Sequence, residues 1–210
     1  MRVAFATRPY EAKLEVHQPY VDATIEAAKV LESLGHTVEE TDFPGLPSDL
    51  LASMSLAFFA NYAARESELP PFETLTPWTQ GLIQAGRAVT AAQYVSTMDT
   101  LQSEMRRVIA RFEAHDVLLS PTLALPPPRV GEFADIDITK VMRLWALTPF
   151  TAMWNNTGQP AVSIPWGLDP EGLPMGIQLM GRPADEATLI RLSAQLEAEH
   201  PWAHLRPVVS

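Results

Sequence analysis

The sequence predicts an α/β protein: a mixed β-sheet flanked by helices. Three observations predict it. The first 41 residues read strand, helix, strand; Val117–Ser120 is an apolar run of the kind buried at a sheet centre; and two short apolar runs near the end are joined by a turn. Each element follows from its own local pattern.

Arg2–Thr7 (RVAFAT) is rich in β-formers and stops before Pro9, so it reads as a strand. From Pro19 to Leu34, Val21, Ile25, Ala28, Leu31 and Leu34 recur at helical spacing, and Gly35 stands where a helix-ending glycine belongs. His36–Thr41 (HTVEET) reads as the second strand. A strand–helix–strand unit of this length implies a parallel pair with a right-handed crossover.

The middle third is helical in pattern. Leu50–Arg65 and Phe72–Gly86 are predicted helices, separated by Leu69-Pro70-Pro71. Thr90 is placed to cap a long helix through Phe112, with Tyr94, Met98, Leu101, Met105, Val108, Ile109 and Phe112 as its apolar stripe. Thr122–Asp137, with three consecutive prolines at 126–128, is predicted loop, and Ile138–Ala152 a short helix. Ala161–Trp166 and Met175–Met180 are predicted to pair as a hairpin across Asp169-Pro170-Glu171-Gly172. Asp185–Glu199 closes the chain as a helix, with Ala187, Ile190, Leu192, Ala194 and Leu196 as its apolar members. No repeat, linker or composition break divides residues 1–210, which read as a single domain.

Composition narrows the functional classes. Apolar residues make up 47% of the 210, enough for a sizeable core, and charged residues at 19% argue against disorder. The net charge is −10, with acids outnumbering bases in both halves, so no basic face is available for nucleic acid. The absence of cysteine excludes disulfides, thiolate metal sites and a cysteine nucleophile. No apolar run approaches the roughly 20 residues that span a bilayer, and the amino-terminal residues lack the pattern of a signal peptide. The expectation is a cytoplasmic protein without membrane contact.

The residues themselves show no self-contained active site. No Gly-x-Ser-x-Gly elbow is present, and the ten glycines are isolated, so no glycine-rich cradle exists for a phosphate or an oxyanion. The three lysines, at 13, 29 and 140, form no Ser-x-x-Lys motif, and Lys140 reads as a surface residue. His200 and His204 flank Pro201, which keeps them off a shared helix face, and no third ligand has metal-like spacing. His36 sits in a turn and His115 at a helix end, each without a visible serine partner. Glu39–Glu40 reads as a solvated strand end and Asp185–Glu186 as the first turn of a helix. No metal and no cofactor is expected. Thr148–Gly181 stands out, because its density of Asn, Gly and Pro fixes several turns, as strand connections or as a pocket wall built on adjoining strands.

Two blocks then carry a resemblance. Thr148-Pro-Phe-Thr-Ala-Met-Trp-Asn-Asn-Thr-Gly-Gln-Pro-Ala-Val-Ser-Ile-Pro-Trp-Gly167 with Gly172-Leu-Pro-Met-Gly-Ile-Gln178, and Asp116-Val-Leu-Leu-Ser-Pro-Thr122, resemble the C-terminal portion of amidase-signature enzymes. Asp185-Glu186 with Leu196-Glu197, and Pro201-Trp202 with Arg206-Pro207, resemble that family's closing helix and tail. Arg2-Val-Ala-Phe and Leu31–Val38 resemble the unit that opens its second half. The tail most resembles bacterial amidases of the type that cleave 6-aminohexanoate cyclic dimer.

The resemblance implies hydrolysis of carbon–nitrogen bonds in amides. In that family a serine nucleophile is activated by a second serine and a lysine, within a Gly/Ser-rich segment that also supplies the oxyanion hole. No such segment occurs in residues 1–210, so no catalytic residue is assigned, and Ser120 and Ser163 belong to strand motifs. The resemblance implies a share in the substrate pocket for Thr122, Leu123 and Leu125, near the bound acyl group, and for Asn155, which braces or borders the site. The expected partners are a small amide substrate once complemented, an N-terminal amidase half, or a second copy of the chain through an exposed sheet edge. The alternative is a non-catalytic module that keeps the fold to bind a small molecule or a protein.

Overall fold

The structure is a computed structural model that describes residues 1–10, 13–44, 48–134 and 141–206. In chain order its elements are β1 (Arg2–Phe5), α1 (Gln18–Ser33), β2 (Thr37–Glu40), α2 (Ser48–Ala64), α3 (Pro77–Arg87), α4 (Ala91–Arg111), β3 (Val117–Pro121), α5 (Val141–Leu147), α6 (Ala152–Thr157), β4 (Ala161–Leu168), β5 (Pro174–Gly181) and α7 (Glu186–Glu199). The chain divides into two compact units: Met1–Gly45, Val108–Pro126 and Leu147–Ser210 form one, and Leu46–Arg107 with Pro127–Ala146 the other.

The first unit holds a five-stranded mixed sheet in the order β2-β1-β3-β5-β4. β1 lies parallel to β2, as the strand–helix–strand pattern requires, and also parallel to β3, while β5 runs antiparallel to β3 and β4. α1 ends in the way Gly35 forecasts. Gly35 takes a left-handed φ of 84°, its N–H donates to Glu32 O, and the next N–H, of His36, donates to Leu31 O. That paired reversal satisfies carbonyls the helix end would otherwise leave bare.

Alternation along the strands gives the sheet two unlike faces. One carries Val3, Val117, Leu119, Ile164, Ile177 and Leu179, packed against Ala23, Ala27, Ala28 and Leu31 of α1 and Leu189, Leu192 and Leu196 of α7. Small alanines on α1 let that helix lie close. Leu31, Leu192 and Leu196 are fully buried, each contributing roughly 2 kcal/mol. The structure corrects the face of α7: Leu189 is 3% exposed and Ile190 70%, and Ala187 and Ala194 are also exposed. Positions 189, 192 and 196 are spaced to meet the sheet on one stripe, and Ile190 turns away by a full residue step.

The opposite face carries Leu118, Gln178 and Met180 and is covered by aromatic side chains. Phe150 and Trp154 both stand edge-on to Phe43, at 5.4 and 5.8 Å between ring centres, and Trp154 also meets Phe112 at 5.6 Å. Trp154 lies on α6, which falls in a stretch read from sequence as turns. Gly158 closes that short helix with a left-handed φ of 72°.

The second unit is helical. The predicted helix 72–86 begins later, at Pro77, because Thr76 caps it: its hydroxyl accepts from Thr79 N–H at 3.3 Å, while Phe72–Thr74 forms a separate 3-10 turn. Gly86 of α3 meets α2 at a very close crossing, where an added Cβ would stand 2.0 Å from Phe59 O. Thr90 caps α4 as expected, in a reciprocal box: its hydroxyl accepts from Gln93 N–H at 3.2 Å, and Gln93 Oε1 accepts from Thr90 N–H at 2.9 Å. Along α4, Leu101, Met105 and Val108 are buried but Tyr94 is exposed, so the buried stripe is shorter than the sequence pattern. The helix expected over Ile138–Ala152 is α5, ending at Leu147, with α6 separate. Residues 135–140, including Lys140, lie outside the described residues, as does Pro207 of the tail.

Candidate functional site

Where β3 ends, Pro121 stops the strand and Thr122 begins a loop pinned on three sides. Thr122 N–H donates to Gly176 O of β5 at 3.1 Å; Ala124 N–H donates to Leu147 O at 2.9 Å; and His17 N–H, at the start of α1, donates to Ala124 O at 2.7 Å. Ala124 is buried, while Leu123 and Leu125 are half-buried on either side of it. The loop is therefore a fixed ledge rather than a free connection.

The ledge meets a polar row across three strands. Ser120, Gln178 and Ser163 stand in register on β3, β5 and β4. Ser163 Oγ and Thr122 Oγ1 lie 2.7 Å apart. Glycine at 176 makes this pairing fit, because an added Cβ there would stand 3.0 Å from Ser163 Oγ and 3.2 Å from Thr122 Oγ1. Gln178 Nε2 donates to Phe150 O at 3.1 Å, and the buried Ser120 hydroxyl donates to Pro121 O at 2.9 Å. Thr122 sits just beyond the carboxyl end of β3, and β1 has its successor β2 on one side and β3 on the other. In open α/β sheets that reversal of strand order opens a crevice at the carboxyl ends.

Asn155 is placed differently. It lies exposed on α6 and its side chain makes no hydrogen bond among the described residues, whereas the side chain of its neighbour Asn156 donates to Ala152 O at 2.8 Å. Thr122 is thus tied to the β4–β5 hairpin, Leu123 and Leu125 flank the ledge, and Asn155 presents its amide to solvent.

The row offers hydroxyl and amide groups and no activated nucleophile. The oxygen nearest Ser163 Oγ is another hydroxyl, and Ser120 spends its proton on a main-chain carbonyl, so neither serine has a base beside it among the described residues. No group of three His, Asp or Glu among the described residues is arranged to hold a metal ion.

Asp169 and Tyr20, near this end of the sheet, are not among the candidate site residues read from the sequence. Asp169 is buried where β4 turns toward β5, and its Oδ1 accepts from Glu171 N–H at 2.9 Å and Leu173 N–H at 2.8 Å. The Asp-Pro-Glu-Gly turn was the available hint, since aspartate side chains often bond the main chain two residues on. Tyr20 is buried in α1, and burial, with the Asp169 charge second, raises its phenol above the usual 10.0. At the other end of β3, Asp116 explains its own place in the motif. It accepts from Arg2 N–H at 2.8 Å and pairs with Arg182 at 2.9 Å, joining β1, β3 and the end of β5.

Comparison with known proteins agrees with this architecture. The model of the family described as Amidase matches residues 1–190. Mycobacterium tuberculosis (strain ATCC 25618 / H37Rv) "Putative amidase AmiB2" is 32% identical over 212 residues, covering all of this chain and 46% of the relative. Mycobacterium leprae (strain TN) "Putative amidase AmiC" is 30% identical, covering 98% of this chain and 45% of its own length. Among solved structures, 6-aminohexanoate cyclic dimer hydrolase complexed with substrate superposes with a TM-score of 0.87 at 27% identity, covering 99% of this chain and 47% of that one. A bacterial aryl acylamidase of the amidase-signature family shares the fold, with a TM-score of 0.71 at 23% identity. The chain spans about half the length of the curated relatives it matches.

Proposed function

Because this chain belongs to the amidase-signature family, matched over residues 1–190, we propose that it is the pocket-forming portion of an amide hydrolase whose nucleophile is supplied by the remaining portion. The observation that carries this reading is the pinned ledge after β3. Thr122, hydrogen-bonded to Ser163 and to the main chain of β5, presents Leu123 and Leu125 at the carboxyl end of the sheet without any base beside a serine. A preorganised surface of this kind binds and orients; it does not activate a hydroxyl.

In this reading Thr122, Leu123 and Leu125 lie along the acyl part of a small amide and Asn155 borders the site. Hydrolysis needs a nucleophile to attack the amide carbon, a base to take its proton and donors to hold the oxyanion. Those three come from the part of the relatives that this chain does not cover. The mycobacterial relatives of about twice this length support that division, and so does the absence of a Gly/Ser-rich segment in residues 1–210.

Amide turnover tests it. The purified chain is assayed on simple aryl and alkyl amides alone, and again when coexpressed with the part of AmiB2 that it does not match. Hydrolysis only in the second case is the expected result. Turnover by the chain alone that persists in Ser120→Ala and Ser163→Ala variants overturns it.

A further inference from the structure

Two clefts open on the aromatic face of the sheet, and they share walls. The inner one is a recess of about 220 Å3 at the amino end of β3, bounded by Asp116, Trp154, Gln159 and Arg182. The outer one takes in about 820 Å3, part of it open to solvent, where Thr41, Asp42, Phe43 and Pro44 follow β2 beside the end of α4. Phe112 and His115 line both. All of these residues belong to the first unit.

The charged groups around the recess already have partners. Asp116 accepts from Arg2 N–H at 2.8 Å and pairs with Arg182 at 2.9 Å. The Arg182 guanidinium also donates to His115 O at 3.0 Å, and His115 Nε2 pairs with Glu39. Gln159 differs. It is 7% exposed, and its Nε2 donates to Gly181 O at 2.7 Å. That bond fixes which end of the amide is which, since the reversed amide would set two oxygens face to face. Oε1 is therefore an acceptor, and it is buried with no hydrogen-bond partner. A buried acceptor left bare is unfavourable, and a donor that enters the recess relieves it.

We propose that the two clefts together bind a small neutral aromatic molecule with one hydroxyl or amino group, its ring in the outer cleft and its donor on Gln159 Oε1. The recess is narrow. Its free interior admits about one water-sized group, enough for a hydroxyl or an amine and too little for a ring. The outer cleft, walled by Phe43, Pro44 and Phe112, exceeds the roughly 150 Å3 in which an apolar cavity holds benzene. Charge favours a neutral ligand. Arg182 and His115 already pair with carboxylates, and Asp42 and Arg111, both exposed in the outer cleft, offset one another. None of the ledge residues Thr122, Leu123 and Leu125 takes part, so the chain alone suffices for the test.

Phenol is the probe, titrated into the purified chain and followed by NMR at the Trp154 indole N–H and the Gln159 side-chain amide. Saturable shifts of both signals, with ring-proton contacts to Phe43 and Phe112, are the expected result. Anisole keeps the ring and loses the donor, and it is expected to bind at least about fivefold more weakly than phenol. Benzoate, an anion of similar size, should also bind more weakly. In Gln159→Met the affinity for phenol should fall to that for anisole. Where that variant fails to fold by circular dichroism, the phenol–anisole comparison on the wild-type chain decides. Equal affinities for phenol and anisole, or ring contacts that map elsewhere, overturn the proposal. Benzoate binding as tight as phenol overturns the neutral class. No saturable phenol binding means that an ordered water alone satisfies Gln159, and this too overturns it.

Discussion

Thr122 Oγ1 and Ser163 Oγ share a hydrogen bond of 2.7 Å that ties the loop after β3 to strand β4, 41 residues further along the chain. Gly176 lies beneath it and leaves just the room that two hydroxyls need. Because the pair is solvent-accessible, its contribution to stability is small and its contribution to the shape of the ledge larger. Thr122→Val is expected to cost about 1 kcal/mol or less in urea unfolding. In a complemented enzyme it should raise KM for amide substrates more than it lowers kcat, since it disturbs positioning and not activation. A large fall in kcat at unchanged KM speaks against the pocket role.

Substituting Gly176 approaches the same contact from below. Gly176→Ala places a methyl group at 3.0 Å from Ser163 Oγ and 3.2 Å from Thr122 Oγ1, so the two hydroxyls must give by a few tenths of an ångström and their bond is strained. The expected loss is about 1–2 kcal/mol, read by urea denaturation. It should shrink in the Thr122→Val background, where one of the obstructing hydroxyls is gone.

At the helix crossing in the second unit the space is far tighter. Gly86→Ala drives a methyl group to 2.0 Å from Phe59 O and 2.8 Å from Ala63 Cβ, neither of which is a flexible side-chain end. The helices must separate, at a cost of about 3 kcal/mol or more. Loss of helical circular dichroism at lower urea than wild type checks it; an unchanged midpoint removes the close crossing.

The capping box of α4 gives a smaller, cleaner effect. Thr90→Ala removes the hydroxyl that accepts from Gln93 N–H and should cost about 1 kcal/mol, while Thr90→Ser should restore most of it. Gln93→Ala removes the reciprocal acceptor. Because the two groups act together, the double variant should lose less than the sum of the singles.

Tyr20 makes stability depend on alkaline pH. Its folded pKa is raised above 10.0, first by burial and second by Asp169, so the neutral phenol is the favoured folded form. Below pH 10 both states keep the proton and the contribution is whole. As pH rises through the unfolded value toward the folded one, the unfolded chain loses its proton first and stability falls. Urea midpoints measured from pH 9 to 11 should decline, and Tyr20→Phe should flatten that decline.

Much of the fold was legible because local and long-range signals coincided. Gly35 ended α1, Thr90 capped α4, the Asp-Pro-Glu-Gly turn joined the hairpin, and a charge-free run at Val117 lay at the sheet centre. The misses have physical causes. Leu189 and Ile190 are adjacent and equally apolar, so only the contact of α7 with the sheet decides which is buried. α6 has six residues among glycines and prolines, too few for a period to show, and it is held by Trp154 packing on Phe43 and Phe112. The register that brings Ser163 to Thr122 depends on the order of strands β3, β5 and β4, which no local pattern encodes.

β2 forms one border of the sheet and ends in the exposed acids Glu39 and Glu40, while β4, the other border, carries no charge. Two neutral borders would let copies add end on end into a fibre, and two guarded borders would accept nothing. With Glu39 and Glu40 on the β2 side, end-on-end growth through both borders is opposed.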